Sequence, residues 1–196
     1  MLQGLREIHK GETAWIIGKG MSLLDIKLSD VGDGPVICLG ESIIVLETLK
    51  FPNVLYSLQK DGGERRKYPF GLSAECDVRD CDHCSGVVRP QGSILLMHDL
   101  EARYCFEDYS PRYLFTLEEI GLPYNEISVV CAIRIAQLMG CIKFKFVSFD
   151  AHATGDEDCI IPIWTHERYK WLFNRQKEIL PQFLKGLDYE WITPKE

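Results

Sequence analysis

The chain has 196 residues, of which 46% are hydrophobic, and a formal net charge of -7 at neutral pH. This length and apolar fraction suffice for one well-packed core, so we predict a single domain over residues 1–196. The negative charge argues against a broad nucleic-acid-binding surface.

The hydropathy pattern and the first residues predict an intracellular protein. No apolar run approaches the roughly 20 residues that cross a bilayer, and the first residues have no signal-peptide pattern. We therefore expect a cytoplasmic protein without a membrane span. Three of the eight cysteines lie in apolar runs, where we predict reduced core thiols: Cys38, Cys131 and Cys141.

Short apolar runs rich in β-branched residues recur along the chain and predict strands. The predicted strands are Trp15–Ile17, Val36–Leu39, Val54–Leu58, Ile94–Met97, Lys143–Phe149 and Tyr189–Ile192. The predicted helices between them are Ser42–Leu49, Ser128–Met139 and Thr165–Leu184. We expect Gly140 to end the second helix and Pro181 to end or kink the third. This alternation predicts an α/β, Rossmann-like three-layer sandwich, in which helices cover both faces of a mostly parallel sheet.

The segment 61–92 is polar, charged and rich in glycine and cysteine, without clear periodicity. We interpret it as an irregular excursion over the edge of the sheet or as a lid. The spacing Cys81-x-x-Cys84 suits two thiolates on one zinc ion, with Cys76 and His83 as further candidate ligands. The alternative is a loop with free surface thiols.

The first predicted strand leads into Gly18-Lys19-Gly20-Met21-Ser22. Two glycines allow backbone amides to approach a phosphate closely, and Lys19 and Ser22 add polar donors. The third glycine of the dinucleotide-binding pattern is replaced by Leu23, and the Gly-Lys-Ser/Thr ending of a P-loop is missing. Two interpretations remain open, a nucleotide phosphate site and an ordinary strand-to-helix turn.

Other polar residues follow strands or begin helices, and we expect them near the Gly18–Ser22 loop. Right-handed crossovers place the ends of parallel strands at one edge of the sheet, where ligands bind. Ser42 and Asp61 are candidates for nucleotide binding, and Ser128 is a candidate for a second phosphate oxygen. Asp150 is a candidate for a ribose hydroxyl or for a metal ion such as Mg²⁺. The alternatives are helix caps for the serines and a strand-terminating role for Asp150.

Motifs in chain order resemble those of one superfamily. Gly18–Leu23 resembles its G-x-G-P-S-L motif, with Met21 in place of the proline. Ser128–Cys141 followed by Phe146–Asp150 resembles its later helix and strand, which end in Gly-Phe-Asp, with Ser148 in place of that glycine. The superfamily contains the archaeal-type 6-hydroxymethylpterin pyrophosphokinases, the motility accessory factors and bacterial lipooligosaccharide sialyltransferases.

This resemblance implies a nucleotide-dependent transferase, most simply a glycosyltransferase that moves a sugar from a nucleotide-activated donor to a hydroxyl acceptor. A histidine near the start of the last helix is the general base of the sialyltransferases, and His166 has a similar position. The alternative for His166 is a solvated residue in a first helical turn. The superfamily has an Asn or Asp after its second strand, where this chain has Gly40. This departure and those at Met21 and Ser148 favour another hypothesis, a catalytically decayed nucleotide-binding module. A third hypothesis is a zinc-pinned interaction protein.

Overall fold

A computed structural model of the protein describes residues 2–59, 90–99, 110–123, 127–153 and 166–194, with backbone alone at 151, 153 and 166–173. The described strands form one sheet, and every neighbouring pair is parallel. They are β1 (Thr13–Ile17), β2 (Val36–Leu39), β3 (Leu55–Gln59), β4 (Ile94–His98), β5 (Arg112–Phe115), β6 (Lys143–Val147) and β7 (Asp188–Ile192). Their order is β5-β4-β3-β2-β1-β6-β7. The predicted α/β fold with a parallel sheet is confirmed.

Two details of the strands differ from the prediction. Strand β5 was not predicted, because it is short, lies at the edge of the sheet and buries only Phe115 fully. Strand β6 ends at Val147 and not at Phe149, because the next residue, Ser148, has a left-handed backbone with φ of 58°.

The described α-helices are α1 (Ser42–Thr48), α2 (Ser128–Leu138), α3 (Asp150–Ala153) and α4 (His166–Leu184). Short 3-10 helices cover Leu2–Leu5, Met21–Asp25 and Leu28–Asp30. Gly140, with φ of 90°, follows the end of α2 as predicted. The last helix continues past Pro181 to Leu184, so the proline does not end it, and the alternative of a kink at Pro181 stays a prediction. A proline so near the end of the helix removes few hydrogen bonds, and the buried side chains of Leu180 and Leu184 pack the last turn against the core.

Among the helices of the described residues, none has the length and apolar composition that a membrane span requires.

Alternate residues of β1 pack into two cores on opposite faces of the sheet. Ala14 and Ile16 pack with α2, whereas Trp15 and Ile17 pack with α1 and the 3-10 helix Met21–Asp25. Apolar residues at helical spacing in α2 and at its C-terminal cap are all buried: Val129, Ile133, Ala136 and Met139. Helices therefore cover both faces of the sheet.

The three cysteines predicted in the core are buried: Cys38, Cys131 and Cys141. Burial, and secondarily the charge of Glu12, raises the pKa of Cys141 to about 12. Burial likewise raises the pKa of Cys38 far above its ordinary value. Both thiols stay protonated at neutral pH, which agrees with a packing role.

The N-terminal turns lie against the amino edge of the sheet. The amide of His9 donates to the carbonyl of Met139 at the end of α2. Its ring nitrogens lie 2.8 Å from the hydroxyl of Tyr56 and 3.1 Å from Glu12. Since α2 ends at this amino edge, its first residue, Ser128, lies toward the carboxyl edge, where the candidate site is formed.

Candidate functional site

The strand order reverses between β1 and β6. From β1 the chain builds the sheet outward through β2 to β5, and it then returns to place β6 and β7 on the other side of β1. In open α/β sheets, ligands bind in the crevice outside the carboxyl ends of the strands at such a point. Two segments meet in this crevice, the loop Gly18–Ser22 after β1 and the turn Ser148–Asp150 after β6.

The two glycines of the loop permit a very close approach to the end of β6. The amide of Gly18 donates to Val147 over 2.8 Å, and the amide of Gly20 donates to Ser148 over 2.9 Å. A Cβ atom at Gly20 would lie 2.5 Å from Cγ of Asp150, and one at Gly18 would lie 2.5 Å from the carbonyl oxygen of Ser148. Larger residues at either position would force the loop away from β6.

The buried carboxylate of Asp150 is held by Ser22. Oδ2 accepts a hydrogen bond from the Ser22 amide over 2.8 Å, and Oδ1 accepts one from the Ser22 hydroxyl over 2.5 Å. Gly20 is the residue that precedes the 3-10 helix Met21–Asp25, so Ser22 is not the cap of that helix. The loop thus presents a backbone amide and a hydroxyl to an anion, and the anion is a side chain of the same protein.

Lys19 pairs with a carboxylate that the sequence analysis missed. Its Nζ lies 3.0 Å from Oε2 of Glu41, whose side chain is only 2% exposed. The hydroxyl of Ser42, the predicted residue of this segment, donates to the carbonyls of Leu39 and Ile17 and ties the ends of β2 and β1 together. An acidic residue directly after the second strand is the clue that points to Glu41, since dinucleotide-binding folds place a ribose-binding carboxylate near there.

Ser148 combines an unusual backbone with a buried hydroxyl. Its φ of 58° is in the left-handed region, and the residue is fully buried. Its amide donates to Ile192, at the end of β7, over 3.1 Å. Its Oγ has no hydrogen-bond partner within the part of the chain that the structure describes. Such positions destabilise a fold and are concentrated at functional sites.

His152 lies just beyond Asp150 and stacks on Trp191. The ring centroids are 5.0 Å apart and the planes differ by 3°. The amide nitrogen of Gln176 lies 2.8 Å from Nε2 of His152. Burial, and secondarily the nearby charge of Lys177, lowers the pKa of His152 below its ordinary value. The imidazole is therefore neutral at neutral pH, a feature that the sequence alone did not indicate.

Several predicted residues lie outside the described part of the chain. They are Asp61 and the candidate zinc ligands Cys76, Cys81, His83 and Cys84. The zinc hypothesis and the lid at 61–92 therefore stay predictions, and metal analysis of the purified protein tests the former. His166 begins α4 as described, but its side chain is outside the description. Across the described ranges, no three His, Cys, Asp or Glu side chains group to hold a metal ion.

The structure brings together five of the predicted site residues, namely Gly18, Lys19, Gly20, Ser22 and Asp150. Ser128 begins α2, with Ile127 as the preceding cap residue, so Ser128 is not the cap of that helix.

A search of protein-family models finds no match to the chain, and a search of curated proteins finds none.

Proposed function

We propose that the protein is a nucleotide-dependent transferase, a glycosyltransferase that binds a nucleotide-activated sugar donor in the crevice between β1 and β6. The observation that supports this most is the meeting of the loop Gly18–Ser22 with Asp150 where the strand order reverses. A backbone amide, a hydroxyl and the ammonium group of Lys19 are donors that suit the phosphate of a donor nucleotide. Ser128, at the start of α2, is proposed to bind a second phosphate oxygen.

In the proposed reaction, His166 and Asp150 have separate roles. The acceptor hydroxyl attacks the sugar carbon, the bond from that carbon to the phosphate oxygen breaks, and the nucleotide leaves with the electron pair. His166 takes the proton of the acceptor hydroxyl, a role that typically contributes ~10²–10⁴-fold to the rate. Asp150 binds a ribose hydroxyl once the phosphate lies at Ser22. Pyrophosphoryl transfer to a hydroxyl would use the same groups.

A catalytically decayed nucleotide-binding module is the second candidate. It is favoured by the departures from the superfamily motifs at Met21, Gly40 and Ser148. The two candidates differ in turnover and not in binding. Incubation of a bound nucleotide sugar with the protein separates them, because only the transferase releases free nucleotide by transfer or hydrolysis.

Thermal unfolding with CMP, UDP, GDP and ATP, each with and without Mg²⁺, tests the proposed site. The wild type is compared with Gly20→Ala, whose Cβ would collide with Asp150. The matched control is Gly92→Ala, whose Cβ would meet no atom of the described residues within 4 Å. We expect at least one nucleotide to stabilise the wild type and Gly92→Ala equally and Gly20→Ala much less. A ligand at 100 times its Kd adds about 2.7 kcal/mol.

Two results would contradict the proposal. One is a wild type that no nucleotide stabilises, and the other is a Gly20→Ala variant that responds as the wild type does. Where a nucleotide sugar is turned over, His166→Ala tests the assignment of the base, and an unchanged rate shows that the assignment is wrong.

A further inference from the structure

Two carboxylates of the protein already engage the polar groups of the loop Gly18–Ser22. Asp150 accepts from the amide and the hydroxyl of Ser22, over 2.8 Å and 2.5 Å. Glu41 pairs with Lys19 over 3.0 Å. Asp150 and Glu41 are both buried, with 4% and 2% exposed. A phosphate that approached this loop would meet a negative charge where it needs a hydrogen-bond donor.

The two carboxylates differ in how they are held in the chain. Glu41 immediately precedes α1, whose Ser42 is bonded to the ends of β1 and β2, so its position is fixed by the sheet. Asp150 begins the four-residue helix α3, directly after the turn at Ser148. A rotation of the Asp150 side chain would release the amide and the hydroxyl of Ser22 without movement of a strand. Asp150 is therefore the group that a ligand is able to replace.

A second observation concerns a buried polar group in the same turn as Asp150. The hydroxyl of Ser148 is fully buried and has no partner among the described residues, although the carbonyl of the same residue accepts from Gly20. An unpaired buried hydroxyl costs free energy, which a partner from outside the chain would recover. Ser148 lies two residues before Asp150, in the turn that follows β6.

We infer that Asp150 is an autoinhibitory latch, which occupies the phosphate position of the loop until the phosphate of a ligand displaces it from Ser22. This inference rests on the proposed function, because it takes the loop to be a phosphate site. In the unliganded protein, the carboxylate of Asp150 keeps other anions from the amide and the hydroxyl of Ser22. Removal of that carboxylate should therefore strengthen the binding of a simple anion, whereas a carboxylate that contacts the ligand would weaken binding when removed.

Calorimetric titration with inorganic phosphate tests the latch. We expect Asp150→Ala to bind phosphate with a Kd at least tenfold lower than that of the wild type. Addition of Ser22→Ala to this variant should abolish the gain, because the hydroxyl that would bind the phosphate is lost. The matched control is Asp188→Ala, which removes the same charge from an exposed position on β7 and should leave the Kd unchanged.

The outcomes separate the latch from the proposed function. If nucleotides bind the wild type through Gly20 but Asp150→Ala binds phosphate no more tightly, the latch is wrong and the proposed function stands. If neither protein binds phosphate or any nucleotide, both fail. Should Asp150→Ala not fold, Asp150→Asn replaces it, because the neutral amide no longer repels phosphate and accepts from Ser22 more weakly than the carboxylate does. Asp150→Asn should then bind phosphate more tightly than the wild type, and an equal Kd would contradict the latch.

Discussion

The backbone amide of Gly20 donates to the carbonyl of Ser148 over 2.9 Å, which joins the glycine loop after β1 to the left-handed residue after β6. Glycine adopts a φ of 58° without steric cost, whereas serine does not. Serine therefore lowers stability at the position where the two segments of the candidate site meet. Substitutions of Ser148 therefore measure what this left-handed turn costs in free energy of unfolding.

Replacement of Ser148 by glycine should stabilise the protein. Left-handed backbone costs a non-glycine residue roughly 1–2 kcal/mol, and an unpaired buried hydroxyl costs roughly 1–3 kcal/mol. The added freedom of glycine in the unfolded chain offsets roughly 0.5–1 kcal/mol of this gain. We expect Ser148→Gly to raise the free energy of unfolding by about 1–4 kcal/mol in urea denaturation, with Ser148→Ala between it and the wild type. A destabilised Ser148→Gly would show that the serine side chain stabilises the turn.

Glu47, near the end of α1, holds the turn that precedes β4. Its carboxylate accepts from the amide of Gln91, from the amide of Ser93 and from the hydroxyl of Ser93, the last over 2.5 Å. Hydrogen bonds to a charged group are strong, so Glu47→Ala should lower the free energy of unfolding by about 2–3 kcal/mol. The control Glu118→Ala, at an exposed position, should change it by less than about 0.5 kcal/mol. Equal effects in the two variants would refute the role of Glu47.

Gly34 allows β1 to pass close to the turn before β2. Its φ is 115°, and a Cβ atom there would collide with the carbonyl oxygen of Thr13. Gly11 is the matched control, because it has φ of 83° but open space around its Cβ position. Gly11→Ala should cost about 1 kcal/mol from backbone strain alone, whereas Gly34→Ala should cost at least about 3 kcal/mol. Similar unfolding midpoints for the two variants would contradict this explanation.

The stacked imidazole of His152 should make stability depend on pH. Its pKa in the folded protein is lowered from 6.5 by burial and then by the charge of Lys177. The unfolded chain therefore binds the proton more readily, and stability falls as the pH drops below about 6.5, by at most about 1.4 kcal/mol per pH unit. His152→Phe keeps a ring on Trp191 and removes the titration. Urea denaturation between about pH 7.5 and 5 should show a shallower pH dependence for this variant, and identical slopes would refute the assignment.

The sheet was largely predictable because its central strands are continuous apolar runs. Parallel strands covered on both faces need such runs, and β1, β2 and β4 have them. Strand β5 could not be predicted, since Arg112–Phe115 is an edge strand with one fully buried side chain and only four residues. Its place beside β4 is decided by pairing across the sheet, which no local pattern encodes.

The residues of the candidate site were predictable from their positions after strands, but their contacts were not. Gly20 and Asp150 were both expected at the carboxyl edge, and both lie there. That Ser22 would hold Asp150 depends on a distance between residues 128 positions apart in the sequence. The pairing of Lys19 with Glu41 likewise depends on the side-by-side arrangement of β1 and β2.

A crystal structure of the protein with a nucleotide bound tests the central claim most directly. We predict that the nucleotide lies between β1 and β6, with a phosphate oxygen within hydrogen-bond distance of the Ser22 amide. A nucleotide bound elsewhere on the protein, with the crevice unchanged at saturating concentration, would contradict the account.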